Sequence, residues 1–259
     1  MITKITLSKR SFFLMLFTFM AFVTYAQQVI NTTIQHDGKT RAYRLYIPQS
    51  YNSSQPVPLL LNFHGYTNSI DIQYNQSAFQ QLAEDNQFIF ATPQGLGNSA
   101  GWAINNLFGG NEDDLGFTSA MIDAIENQYN INAKRIYATG FSNGGYFSYR
   151  LACELSNRIA AVASVAGSMT ARWIDNNQCQ PVHPTPILQI TGVNDGTIPI
   201  NGGFLGTSIN EVMTYWTTYN NGNLNPQSID LGGGSTRFIY DGGDNGVTAE
   251  FIRVGGKGH

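Results

Sequence analysis

Short, largely apolar runs recur along this chain at residues 57–63, 88–91, 135–139, 159–165 and 186–190, and they set what it can form. Runs that brief, bounded by Gly, Pro, Asn and Asp, read as strands buried on both faces, as parallel strands must be. Segments with helical spacing lie between and after them, at 77–85, 117–129, 146–155 and 209–219. Strand alternating with helix predicts an α/β fold: one mostly parallel sheet covered by helices on both faces. Two alternating segments, 29–35 and 40–47, flank Asp37-Gly38, a hairpin signal, so the sheet should open with an antiparallel pair. Further strands are expected at 237–240 and 247–254. No linker, repeat or low-complexity run divides the mature chain, which predicts one domain over 27–259. In such a sheet the reactive groups lie at the carboxyl ends of the strands.

That rule gives weight to Gly140-Phe141-Ser142-Asn143-Gly144, which joins the 135–139 strand to the 146–155 helix. A serine between two glycines at a sharp strand-to-helix turn is a nucleophile elbow. The glycines let strand and helix approach without a Cβ clash, and the helix dipole favours negative charge beside the hydroxyl. The bare pattern is weak, and a glycine-rich surface turn is the bland alternative. Its partners decide the matter.

A serine hydroxyl needs a base, and the base an acid to fix its tautomer. Of the four histidines, His36 belongs to the opening hairpin, and His183 precedes a strand instead of following one. His64 ends the 57–63 run in a turn, His64-Gly65-Tyr66, where an orienting role suits it better. His259 follows the last strand through Gly255-Gly256-Lys257-Gly258 and is the expected base, against the alternative of a disordered terminal residue. Asp195 follows the 186–190 strand and is the expected acid, in the order Ser, Asp, His. Asp241, also at a strand end, competes with it. The N–H groups of Asn143 and Tyr66 are the expected oxyanion donors. The long segment 94–114 should lie over the strand ends and carry Trp102 and Phe108 towards substrate; the alternative is that Trp102 pins this segment to the domain. Asp113 or Asp114 should cap the helix at 117–129.

The first 26 residues form a separate object. Lys4, Lys9 and Arg10 precede an apolar run to Val23, which closes on Thr24-Tyr25-Ala26. This is the pattern of a secretory signal peptide, and the run is short for a membrane anchor. Export permits a disulfide, and the only two cysteines, Cys153 and Cys179, allow one pairing, against two free thiols. Metal ligation has no support in the cysteine and histidine spacing. No metal or other cofactor is expected. A net charge of −3, with 12% charged residues and no basic stripe, argues against nucleic acid and anionic membranes as partners.

Several motifs follow one another as in a known group: Arg44-Leu45-Tyr46-Ile47-Pro48, His64-Gly65, Asp113-Asp114-Leu115-Gly116-Phe117, and the stretch 135–145. Leu151-Ala152-Cys153 and Asn157-Arg158-Ile159-Ala160-Ala161-Val162-Ala163 continue the series. The mature chain resembles the secreted α/β-hydrolase esterases that group feruloyl and acetylxylan esterases with polyhydroxybutyrate-depolymerase-like enzymes. That resemblance implies a triad of Ser142, Asp195 and His259, and a disulfide between Cys153 and Cys179. It implies a monomeric enzyme acting on ester-bearing plant-type polysaccharide. A polyester substrate and a catalytically silent glycan- or protein-binding domain are the alternatives. In the family a final helix follows the histidine. This sequence stops at His259, so the domain is expected to lack that helix.

Overall fold

The computed structural model describes residues 28–97, 99–104 and 111–259. The leader expected at 1–26 and Phe108 lie outside the described residues. Among the described residues no helix is long and apolar enough to cross a membrane.

The chain opens with strands β1 (Gln28–His36) and β2 (Lys39–Ile47). Asp37 and Gly38 between them both take positive φ, 49° and 69°, which matches the twist of a two-residue hairpin. Then come β3 (Val57–Phe63), helices α1 (Ile70–Ser77) and α2 (Phe79–Asn86), and β4 (Ile89–Pro93). The helix expected at 77–85 is α2, and α1 before it was not anticipated. Ala78 turns left-handed between them at φ 49°, which ends one helix and starts the next at an angle. Next are α3 (Asp114–Glu126), β5 (Ile131–Phe141), α4 (Asn143–Glu154), β6 (Ala161–Val165) and the short α5 (Ala171–Asp175). The chain then runs through β7 (Ile187–Gly192), α6 (Ile209–Tyr219), β8 (Gln227–Gly232), β9 (Ser235–Tyr240) and β10 (Ala249–Val254).

All ten strands form one sheet in the order β1-β2-β4-β3-β5-β6-β7-β10-β9-β8. The centre, from β4 through β10, is parallel, and antiparallel strands close both edges. Strand β8 was not anticipated from the sequence. All six of its residues are exposed, so the edge strand carries no apolar period to betray it.

Side chains alternate across the sheet. One face of β5, β6, β7 and β10 carries Ile136, Ala138, Val162, Ile187, Ala249 and Phe251, buried beneath α3, α4 and α6 in the main core. A smaller core around Phe90, with Tyr46, Tyr74 and Ala83, lies under α1 and α2 on the opposite face. Helices thus cover both faces, but the second cover stops near Leu60. Beyond it Tyr137, Ala161, Ala163 and Leu188 stay half-buried around a depression of about 320 Å³.

Candidate active site

Strand β5 ends at Phe141 and α4 begins at Asn143, so Ser142 alone makes the turn. Its backbone sits at φ 53°, ψ −116°, a region that non-glycine residues occupy only under constraint. The constraint is packing. A Cβ on Gly140 would lie 2.4 Å from the Gly144 carbonyl carbon, and one on Gly144 would lie 2.2 Å from the Phe63 oxygen. Neither contact is possible, so both positions need glycine for the helix to start against β3 and β5. The Ser142 N–H donates to the Val165 carbonyl on β6 at 2.8 Å, which fixes the turn to the sheet.

Ser142 Oγ lies 2.9 Å from His259 Nε2, and His259 Nδ1 lies 2.9 Å from Asp195 Oδ2. The Asp195 side chain is fully buried, and its other oxygen accepts the backbone N–H groups of Thr197 (2.9 Å) and Ile198 (2.7 Å). A carboxylate only accepts, so Nδ1 carries the ring proton and Nε2 is left to accept from the serine. The loop before His259 is docked on the end of β7. Asn194 N–H donates to the Lys257 carbonyl at 2.8 Å, Val193 N–H to Val254, and a Cβ on Gly192 would meet the Lys257 and Gly258 oxygens at 2.4 Å. Phe141 packs beside the imidazole, ring centres 5.0 Å apart. Asp241 stands elsewhere, accepting from Gln227 Nε2 and, through its carbonyl, from Asn223 N–H. His36 contacts Asp113, and His183 contacts the carbonyls of Ser156 and Pro184, so neither competes with His259.

His64 is wholly buried behind the site. Gly95 N–H donates to its Nε2 at 2.9 Å, which leaves Nδ1 as the donor to the Gly65 carbonyl at 2.7 Å. Burial holds its pKa below the ordinary imidazole value, partly offset by that backbone bond. It shapes the turn that carries Tyr66. Gly65 lets this turn press on the elbow, where a Cβ would meet the Phe141 ring at 3.0 Å. The Asn143 N–H opens α4, where helical geometry leaves it without an intrahelical acceptor.

Trp102 is fully buried and offers a substrate no surface. Its Nε1 donates to the His64 carbonyl at 2.9 Å, and its ring stacks on Phe147 and meets Phe63 edge-on. The proposed substrate contact is corrected accordingly: Trp102 pins the 94–104 segment. Other clamps on that segment were not legible in the sequence. The Asn143 side chain accepts the Trp102 N–H at 2.7 Å and donates to its carbonyl at 3.2 Å. Asp114 accepts from Ala103 N–H while paired with Arg41 at 2.6 Å, both ions fully buried. Asp113, not Asp114, caps α3, accepting from Gly116 N–H. Cys153 on α4 and Cys179 after α5 are joined in a disulfide, tying the elbow helix to the α5 side of the sheet. Among the described residues no cluster of three or more metal-type side chains occurs.

The α/β hydrolase fold family profile matches residues 58–185. Feruloyl esterase C of Emericella nidulans is 30% identical over 230 residues, covering 80% of this chain and 77% of that protein. A bifunctional acetylxylan esterase/xylanase of Neocallimastix patriciarum is 25% identical over 90% of this chain, and feruloyl esterase B of Piromyces equi 28% identical over 82%. The chain spans only 33% and 41% of those two longer relatives. The solved acetyl xylan esterase from Aspergillus awamori superposes with a TM-score of 0.70 at 14% identity, covering 90% of this chain and 94% of its own. The chain belongs to the α/β-hydrolase esterase family typified by feruloyl and acetylxylan esterases.

Proposed function

We propose that this protein is an exported serine carboxylic-ester hydrolase that removes feruloyl or acetyl groups from plant-type polysaccharide. The observation that carries the reading is the unbroken hydrogen-bonded line from Ser142 Oγ through His259 to the buried Asp195. In the first half-reaction His259 Nε2 takes the hydroxyl proton as Ser142 attacks the ester carbonyl. The N–H groups of Asn143 and Tyr66 receive the oxyanion, aided by the N-terminus of α4. His259 then returns the proton to the departing sugar oxygen, leaving an acyl-serine. Water, deprotonated by the same nitrogen, attacks the acyl carbon, and His259 passes that proton to Ser142 Oγ as the Oγ–acyl bond breaks and the acid leaves. Asp195 holds the tautomer and stabilises the imidazolium throughout.

The relatives named feruloyl and acetylxylan esterases support the acyl groups chosen. The leader-like residues 1–26 and the disulfide support export, since such bonds persist in oxidising compartments. Hydrolysis of p-nitrophenyl acetate and methyl ferulate by residues 27–259, beside Ser142→Ala, tests the reading. Turnover that vanishes in the variant is expected. Equal turnover in both proteins would refute the serine mechanism.

A further inference from the structure

Directly after Asp195 the chain runs through Gly196–Pro199 into a tight turn, Gly203-Phe204-Leu205-Gly206, whose ends pair through Gly203 N–H to Gly206 O (2.9 Å) and the reverse (3.3 Å). The turn lies beside the loop that follows Asp195. Gly206 lies over Tyr146, where a Cβ would meet the phenol oxygen at 2.5 Å, and Tyr146 N–H donates to the Ser142 carbonyl. Thr207 N–H donates to Met169 O, and Ser168 Oγ to Thr207 O, so the turn is anchored to the loop after β6. At its tip Phe204 is 93% exposed. Leaving a phenyl ring in water forgoes the gain of burying it, and here an anchored turn holds it there.

Three depressions adjoin this turn and one another. The first, about 400 Å³, lies between the turn and Ile198-Pro199 of the acid loop. The second, about 330 Å³, shares the turn and extends to Thr170 and Asn201. The third, about 480 Å³, shares Thr207 and Glu211 with the second and runs between α5 and α6. Neighbouring depressions share lining residues, so the three follow one another from the loop after Asp195 to α6. In the distal part the rings of Tyr215 and Tyr219 stack at 6.3 Å, and Tyr215 Oη donates to the Cys179 carbonyl. Asn177, Gln180, Thr214 and Thr218 supply neutral donors and acceptors beside them. None of the lining residues of the three depressions is basic. Glu211 is committed to the α6 capping box with Ser208.

Building on the esterase reading above, we propose that this series of depressions, a furrow running from the loop after Asp195 across Phe204 to the α5–α6 cleft, binds the neutral polysaccharide chain that bears the ester. Aromatic rings suit the C–H faces of pyranose rings, and amide and hydroxyl groups suit their alcohols, which donate and accept. A polyester segment offers acceptors only and would leave the amide and hydroxyl oxygens unpaired. The absence of basic residues from the lining disfavours an acidic polymer.

Electrophoresis of Ser142→Ala protein in gels containing arabinoxylan reads binding without turnover. Retardation is expected, with the apparent Kd rising at least fivefold when Phe204→Ser or Thr214→Arg is added. Leu82→Ser, which removes an exposed leucine of α2 outside the furrow, should leave retardation unchanged. Thermal midpoints within a few degrees of the parent confirm that the variants fold. Retardation that is absent, that survives both furrow variants, or that falls equally with Leu82→Ser overturns the furrow assignment. Binding to polyhydroxybutyrate particles in place of arabinoxylan overturns the ligand class. Small-ester turnover by the wild-type protein reports the esterase reading separately, so either proposal can fail while the other stands.

Discussion

Asp195→Asn tests the site at the atom where its geometry is most tightly fixed. The substitution keeps size and shape, so the backbone bonds from Thr197 and Ile198 can persist. Those two donors demand an acceptor, which points the new amide oxygen at them and its NH2 at His259 Nδ1. Nδ1 must then accept, the ring proton moves to Nε2, and Nε2 can no longer take the proton of Ser142. Restoring the productive tautomer requires flipping the amide, which sets NH2 against both N–H groups and leaves the buried Ile198 N–H and the buried amide donor unpaired. Each unpaired group costs about 1–3 kcal/mol, so the flip costs about 2–6 kcal/mol together. That corresponds to roughly 30-fold to 10⁴-fold fewer competent molecules. Loss of the charge that stabilises the imidazolium adds to this, so kcat should fall about 10³–10⁴-fold. Stopped-flow release of p-nitrophenol measures the acylation rate directly. The thermal midpoint should stay within a few degrees. A fall of less than tenfold in a folded variant would refute the assignment of Asp195 and the tautomer argument with it.

The remaining predictions concern stability. Replacing Cys153 and Cys179 together by serine opens a loop of 26 residues, worth about 3 kcal/mol in the chain-entropy account. Calorimetry should show the midpoint lowered by roughly 6–12 °C, and an unchanged midpoint would refute the estimate. His64 has a folded pKa below its unfolded value. Between the two values the unfolded chain binds the extra proton, so stability falls as pH drops below about 6.5 and is recovered above it, with a slope of at most about 1.4 kcal/mol per pH unit. Urea titrations at pH 7.5 and 5.0 should show this loss, and it should shrink in His64→Gln. A loss of the same size in that variant would place the titrating group elsewhere.

The sheet centre and the elbow were readable because local chemistry demanded them. Runs such as 57–63 have no polar face, so they must be covered on both sides. Gly140 and Gly144 mark a turn that no side chain could enter. The order of Ser142, Asp195 and His259 relative to the strands followed from the same reading, and the structure brings these three side chains together. Strand β8 was hidden because an exposed edge needs no apolar period. Helix α1 was hidden because it buries only Gln73 and Tyr74 and so carries no apolar stripe.

The sequence by itself determined that the chain forms a parallel sheet with a strained serine at a strand-to-helix turn, because period, glycine placement and turn chemistry act over a few residues. Only the tertiary structure decided what Trp102 and Asn143 do, since their partners lie about 40 residues away along the chain. From sequence, Trp102 could equally have faced a substrate or pinned its loop. Its place against Phe63, Phe147 and the His64 carbonyl settles that it pins. The buried Arg41–Asp114 pair is of the same kind. Two charges 73 residues apart become neighbours only when β2 and α3 close over one core, and each is tolerable there because the other is present.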